Sequence, residues 1–149
     1  MSRTINTVHI ARPLAIVFAY ATTPKHWPHY HPNSLGVSGV TERPVQLGDV
    51  TRERASLMGR DIEGDWKVVE HAPLQKVVWD IQSADGQSSM RLMYAFEEKD
   101  GGTQFTRDLE FHVAAIAGTP LEAAFANYMR GESEKAVQNL KRALESHEA

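Results

Sequence analysis

Between residues 34 and 113 apolar and polar side chains alternate, and turn signals break the alternation at Gly48-Asp49, Gly59-Arg60-Asp61, His71-Ala72-Pro73, Asp85-Gly86 and Asp100-Gly101-Gly102. This punctuation predicts about six strands joined mostly as hairpins. Side chains two apart share a face of a strand. Ile62, Gly64, Trp66 and Val68 therefore point one way, and Val77, Trp79 and Ile81 continue that face on the next strand. Met90, Leu92, Tyr94 and Phe96 extend it, followed by Phe105, Leu109, Phe111 and Val113. The opposite face carries Glu63, Asp65, Lys67, Asp80, Arg91, Asp108 and Glu110, the pattern of an antiparallel sheet wet on one side.

Residues 4–10 read as an earlier strand. Pro13 then suits the first turn of a helix, and Leu14, Val17, Phe18 and Ala21 keep the i, i+3, i+4, i+7 spacing of one buried face. Thr23-Pro24 opens a second short helix expected to end near Trp27, because Pro28 and Pro32 come next. At the other end Thr119-Pro120-Leu121-Glu122 has the form of a capping box before nearly thirty residues of helical spacing. Its apolar stripe is Leu121, Phe125, Tyr128, Met129, Ala136, Leu140 and Leu144. Gly131, Glu132 and Ser133 interrupt the stripe, and Gly131 costs the helix about 1 kcal/mol relative to alanine. The second half of this helix is expected to grip the sheet more tightly than the first.

Composition narrows the function classes. A chain of 149 residues suits one domain, residues 1–149, without repeats or linkers, and can bury roughly 68–70% of its unfolded surface. Sixteen Lys+Arg against nineteen Asp+Glu give a net charge of −3, with the basic residues scattered, so neither a nucleic-acid footprint nor a basic membrane-binding face is expected. The absence of cysteine excludes disulfides, thiolate metal sites and cysteine nucleophiles. Residues 14–21 imitate a signal peptide, with Ala19-Tyr20-Ala21 as a mock cleavage site, but their helical spacing assigns them to the fold. No apolar run is long enough to span a bilayer. The expectation is a soluble, cytoplasmic protein.

Candidate chemistry gathers at two places. The stretch "HWPHYHP" holds His26, His29 and His31 with Trp27 and Tyr30. Three imidazoles can serve as metal ligands, as an acid–base group at a pocket mouth, as the polar rim of a ligand pocket with Trp27 and Tyr30 as apolar wall, or as local hydrogen-bonding loop structure; loop structure at or near a pocket mouth leads, and no metal site is assigned. Arg107 shares the face of Phe105, Leu109 and Phe111, which sets a guanidinium among aromatics unless a β-bulge turns it out or Glu70 pairs with it. As a site residue it would hold a carboxylate, phenolate or enolate. Arg52 and Arg54 share a face opposite Glu53 and read as a solvated charge ladder. His112 falls on the polar face. No nucleophile elbow or glycine-rich phosphate loop is present, and no cofactor is implied.

The order of strand, two short helices, six-stranded meander and long final helix resembles the helix-grip fold of the START and birch-pollen-allergen superfamily. Within it the chain is similar to the small bacterial polyketide cyclase/dehydrase-type (SRPBCC) proteins. The carrying segments are "VFAYATTPKHWPHYHP", Gly48-Asp49, "GRDIEGDWKVVEHAPLQKVVW" and "GGTQFTRDLEF". The resemblance implies an α+β fold in which a seven-stranded antiparallel curved sheet wraps a long C-terminal helix. Between them it implies a cavity with its mouth near the second short helix. Members bind sterols, lipids, aromatic polyketides or plant hormones, and some cyclise or dehydrate polyketides without a shared catalytic residue. The expected ligand is a small hydrophobic molecule, aromatic or lipid-like, held by Trp27, Tyr30, Trp66, Trp79, Tyr94, Phe96, Arg107, Leu109, Phe125, Tyr128 and Met129. In the alternative enzymatic reading, Arg107 and Tyr94 polarise a carbonyl while His29 or His31 moves a proton. An interaction module with an exposed apolar patch, and a homodimer, stay open.

Overall fold

Alternation along the chain becomes one antiparallel sheet, seen in a computed structural model that describes residues 2–146. Strand β1 (Ser2–Ile10) leads to α1 (Leu14–Thr22), a 3-10 turn (Pro24–His26) and α2 (Trp27–Tyr30). Six strands come after them: β2 (Ser34–Gly39), β3 (Val50–Leu57), β4 (Arg60–Ala72), β5 (Lys76–Ser83), β6 (Ser88–Lys99) and β7 (Gly102–Val113). Helix α3 (Pro120–Ser146) is the last of the described elements. The strands pair in the order β1-β7-β6-β5-β4-β3-β2, so the first strand lies beside the last. This is the helix-grip fold the sequence implied.

Hairpin chemistry sets the register. Met58 and Gly59 between β3 and β4, and Asp100 and Gly101 between β6 and β7, all have positive φ, which two-residue loops need to match the twist of their strands. Register is continuous along β7 and breaks on β4 between Val68 and Glu70. That bulge reverses the facing of the residues after it, so Glu70 is exposed and pairs with Lys76 at 3.0 Å. Glu70 therefore does not partner Arg107, which stays inside.

Two sequence expectations about the helices need correction. Pro28 does not stop the second helix at Trp27; it sits in the first turn of α2, where a missing N–H costs nothing, and the helix runs to Tyr30. The Thr119 hydroxyl donates back to the Ile116 carbonyl instead of capping α3.

The inner face of the sheet is covered in two different ways. At one end α1 and α2 press Val17, Phe18, Ala21, Trp27 and Tyr30 into it, all of them buried in the core. Rings there touch edge to face, with centroids 4.9 Å apart for Phe18 and Phe96, 4.9 Å for Trp79 and Tyr94, and 4.8 Å for Tyr94 and Phe105. Along α3 the second half buries Ala136, Val137, Leu140 and Leu144. The first half buries only Phe125 and Met129, while Leu121, placed in the buried stripe by its spacing, is 61% exposed. Under this looser half the sheet and helix stand apart.

Candidate functional site

The gap is a cavity of about 350 Å³. Its walls are Ala55 and Leu57 of β3, Ile62, Gly64 and Trp66 of β4, Met90 and Leu92 of β6, Leu109 of β7, and Phe125 and Met129 of α3. Exposed lining residues mark the opening: Met58 and Arg60 at the β3–β4 turn, Leu121 at the start of α3 and Pro32 after α2. Gly64 contributes by lacking a side chain, since a Cβ there would meet Ile81 at 3.3 Å and narrow the space.

Polar groups gather on two walls. Arg107 is 9% exposed, and its Nη1 donates to the Ser133 hydroxyl, which also receives Thr4 Oγ1–H at 3.3 Å. Its Nε has no hydrogen-bond partner, and among the described residues no carboxylate lies within ion-pair distance of it. A buried cation in this state costs several kcal/mol unless something neutralises it. Ser133 sits where the α3 stripe turns polar, so the interruption that looks like a weak point of the helix is the partner of the guanidinium.

The second wall is a hydrogen-bonded chain. His31, 7% exposed, donates from Nδ1 to Glu53 Oε2 at 3.0 Å, and its Nε2, 2.9 Å from the Tyr94 hydroxyl, takes the Tyr94 O–H. The Tyr94 oxygen lies 3.2 Å from that of Tyr30, whose O–H donates to the Ala21 carbonyl at 2.8 Å. Burial pushes the Tyr30 phenol well above its ordinary 10.0, with Tyr94 adding to the effect. Burial also raises Tyr94, and the Arg107 charge pulls against it. A phenol whose value is higher folded than unfolded stabilises the fold fully below the unfolded value, and that contribution is lost as pH rises through the folded one. Urea unfolding should therefore give a constant midpoint up to about pH 9 and a falling one above about pH 10, with a smaller fall for Tyr30→Phe.

The site residues read from sequence separate into two groups. Trp66, Arg107, Leu109, Phe125, Met129 and His31 line the cavity. Trp27, Tyr30, Trp79, Tyr94 and Phe96 do not; they fill the end of the sheet that α1 and α2 occupy. Tyr128 turns aside, its hydroxyl donating to Asn33 Oδ1 at 3.1 Å. The three imidazoles diverge. His26 stacks on Tyr20 at 4.1 Å, His29 is exposed and does not line the cavity, and His31 points inward. The helical geometry of α2 causes this spread, because neighbouring positions on a helix face different ways. Tyr94 meets the site through His31 Nε2 and, as the cross-strand neighbour of Arg107, through the charge of that guanidinium. Glu53 is the residue that sequence reasoning misses: it stands opposite Arg52 and Arg54 in the alternation, and that same parity places it inside. Arg52 lies outside, paired with Asp65 at 2.8 Å and Glu63 at 3.4 Å.

Comparison with known proteins bears on this geometry. A family model described as polyketide cyclase / dehydrase and lipid transport matches residues 1–145. No curated protein matches the sequence. Among solved structures, a START superfamily protein from Mycobacterium smegmatis superposes with a TM-score of 0.78 at 14% identity, over 97% of this chain and 98% of that one. Ginseng major latex-like protein 151 from Panax ginseng gives 0.72 at 13% identity, over 95% and 96%. DynU16, from the dynemicin biosynthetic locus, gives 0.72 at 17% identity; it covers 98% of this chain, which spans only 48% of that one. At these identities the likeness is one of fold. No helix among the described residues is long and apolar enough to cross a membrane.

Proposed function

Because the chain belongs to the polyketide cyclase/dehydrase and lipid transport family, whose fold is known for hydrophobic ligand binding, we propose that it holds a small aromatic or lipid-like molecule in this cavity, with an acidic or carbonyl oxygen seated on Arg107. The observation that carries the reading is a guanidinium nine-tenths buried in an apolar cavity without a carboxylate partner. An oxygen anion or carbonyl supplies what the protein omits, and a charge-assisted hydrogen bond in a dry site holds it. Apolar walls accept the rest of the ligand.

Two measurements test this. Native mass spectrometry of gently purified protein should show an organic mass that departs on unfolding. In titrations followed by tryptophan fluorescence, with Trp66 on the cavity wall, 1-naphthylacetate should bind more tightly than its methyl ester. Arg107→Met should then weaken the acid about 10- to 100-fold, the worth of one hydrogen bond to a charged group, and leave the ester nearly unchanged. Equal loss for both probes would refute the anchor.

A second reading, a cyclase- or dehydratase-like enzyme, is favoured by the buried pair of His31 and Glu53 beside the same cavity. Acid–base chemistry needs a titratable group within reach of the ligand.

A further inference from the structure

The identity of the proton-accepting group depends on which atoms are already engaged. Both nitrogens of His31 are occupied, one by Glu53 Oε2 and the other by the Tyr94 hydroxyl, so the imidazole has no lone pair left for a ligand. Glu53 lines the cavity, and its second oxygen, Oε1, has no hydrogen-bond partner among the described residues. Its cross-strand neighbour on β4 is Gly64, which leaves open space beside the carboxylate. Arg107, on β7 opposite Tyr94, lines the same cavity. We infer that Glu53 is the catalytic base of this cavity, aimed by His31, and that the protein enolises apolar ketones whose carbonyl oxygen rests on Arg107. The inference rests on the ligand reading proposed for this cavity.

The step balances without a second reactant. Glu53 Oε1 removes a proton from the carbon beside the carbonyl, and the electrons of that C–H bond form the carbon–carbon double bond of the enolate. The carbonyl electron pair moves onto oxygen, where the Arg107 charge offsets it. Reversal returns a proton from the Glu53 carboxyl to carbon. While the enolate lives, that carboxyl hydrogen exchanges with water at the opening. His31 acts as a positioning residue: its Nδ1–H fixes one carboxylate oxygen and leaves the other turned toward the ligand. Glu132 also lines the cavity, but on the helix wall, with Lys135 at 3.7 Å and no group that orients it.

The probe is 2-tetralone, a bicyclic aromatic ketone, incubated with the full chain in deuterium oxide and followed by proton NMR, with binding read in parallel from tryptophan quenching. The wild-type protein should accelerate deuterium uptake at the benzylic carbon about 100-fold or more over buffer, the usual yield of a positioned base. The benzylic signal should fall first to half intensity, because a fixed carboxylate reaches one face of the ketone. Glu53→Gln should drop exchange to the buffer rate yet keep the quenching, since its amide oxygen still accepts the His31 N–H. Quenching with buffer-rate exchange in the wild type would overturn the inference while sparing the ligand reading. So would loss of activity in Glu132→Gln with Glu53→Gln still active. Absence of quenching would remove the ligand reading and this inference with it. If Glu53→Gln does not fold, the wild-type plateau decides: simultaneous loss of both benzylic hydrogens would point to a base with no fixed position.

Discussion

Trp27→Ala lowers the free energy of unfolding by about 3–5 kcal/mol, the range for deleting a fully buried large aromatic. The indole is 0% exposed and wedges between α2 and the sheet, its ring 4.4 Å from that of Trp66 and 5.8 Å from that of Trp79. Its Nε1–H donates to the Ala21 carbonyl at 3.1 Å, but that carbonyl also receives the Tyr30 hydroxyl at 2.8 Å. The acceptor therefore stays satisfied after the substitution, and the loss is one of packing. A domain with a total stability of about 5–15 kcal/mol loses a third or more of it. Urea unfolding measures this directly, and a thermal midpoint about 10 °C lower should accompany it. A loss below about 1 kcal/mol would mean that the ring is a mobile part of a pocket rim, which its burial contradicts.

His31→Phe costs a comparable amount for a different reason. The phenyl ring fills the same space but removes the donor to Glu53, and the side chain of Glu53 is only 8% exposed. Breaking one half of a buried pair leaves an uncompensated charge, at about 3–5 kcal/mol. The second substitution makes the test specific: Glu53→Gln introduced into His31→Phe should recover most of the loss, because the neutral amide has no charge to strand. Chemical denaturation of the four proteins of this cycle yields a coupling energy, which neighbours in one network set at about 0.5–3 kcal/mol. Additive effects would show that the two side chains are not coupled and that the carboxylate finds another partner when His31 is replaced. The two predictions are independent in mechanism, since one removes contact surface and the other removes the hydrogen-bond donor of a buried carboxylate.

Part of the site is readable from the sequence. Alternation alone places Arg107 among aromatics, and the continuous register of β7 keeps it there. Phe125 and Met129 come from helical spacing, and Leu109 and Trp66 from strand parity. Glu53 is equally accessible to parity, but an acidic residue between two arginines looks like part of a surface ladder, and only the coverage of β3 by His31 shows otherwise. Ser133 falls on the buried stripe four residues after Met129 and reads as an interruption because a hydroxyl is not apolar. Its partner lies on a strand 26 residues away. The proline-rich stretch misleads in the opposite direction: two prolines suggest a loop, although one of them is in the first turn of a helix, where it is tolerated.

What the sequence determined by itself is the order and type of the elements and the face that each turns inward. Those properties depend on periods of 2 and 3.6 residues and on local turn chemistry, which a linear string records in full. Tertiary structure alone decided which inward residues meet a cavity and which meet other side chains. Trp79 and Trp66 share a face of one sheet, yet α2 buries the first completely while the looser half of α3 leaves the second on a cavity wall. It also decided the fate of Glu70, which one extra residue in β4 turns outward, and the joining of His31 to a carboxylate 22 residues along the chain. The physical reason is the same in each case. Burial and pairing depend on what lies across the gap, and helix coverage, bulges and long-range contacts set that distance without leaving a period in the sequence.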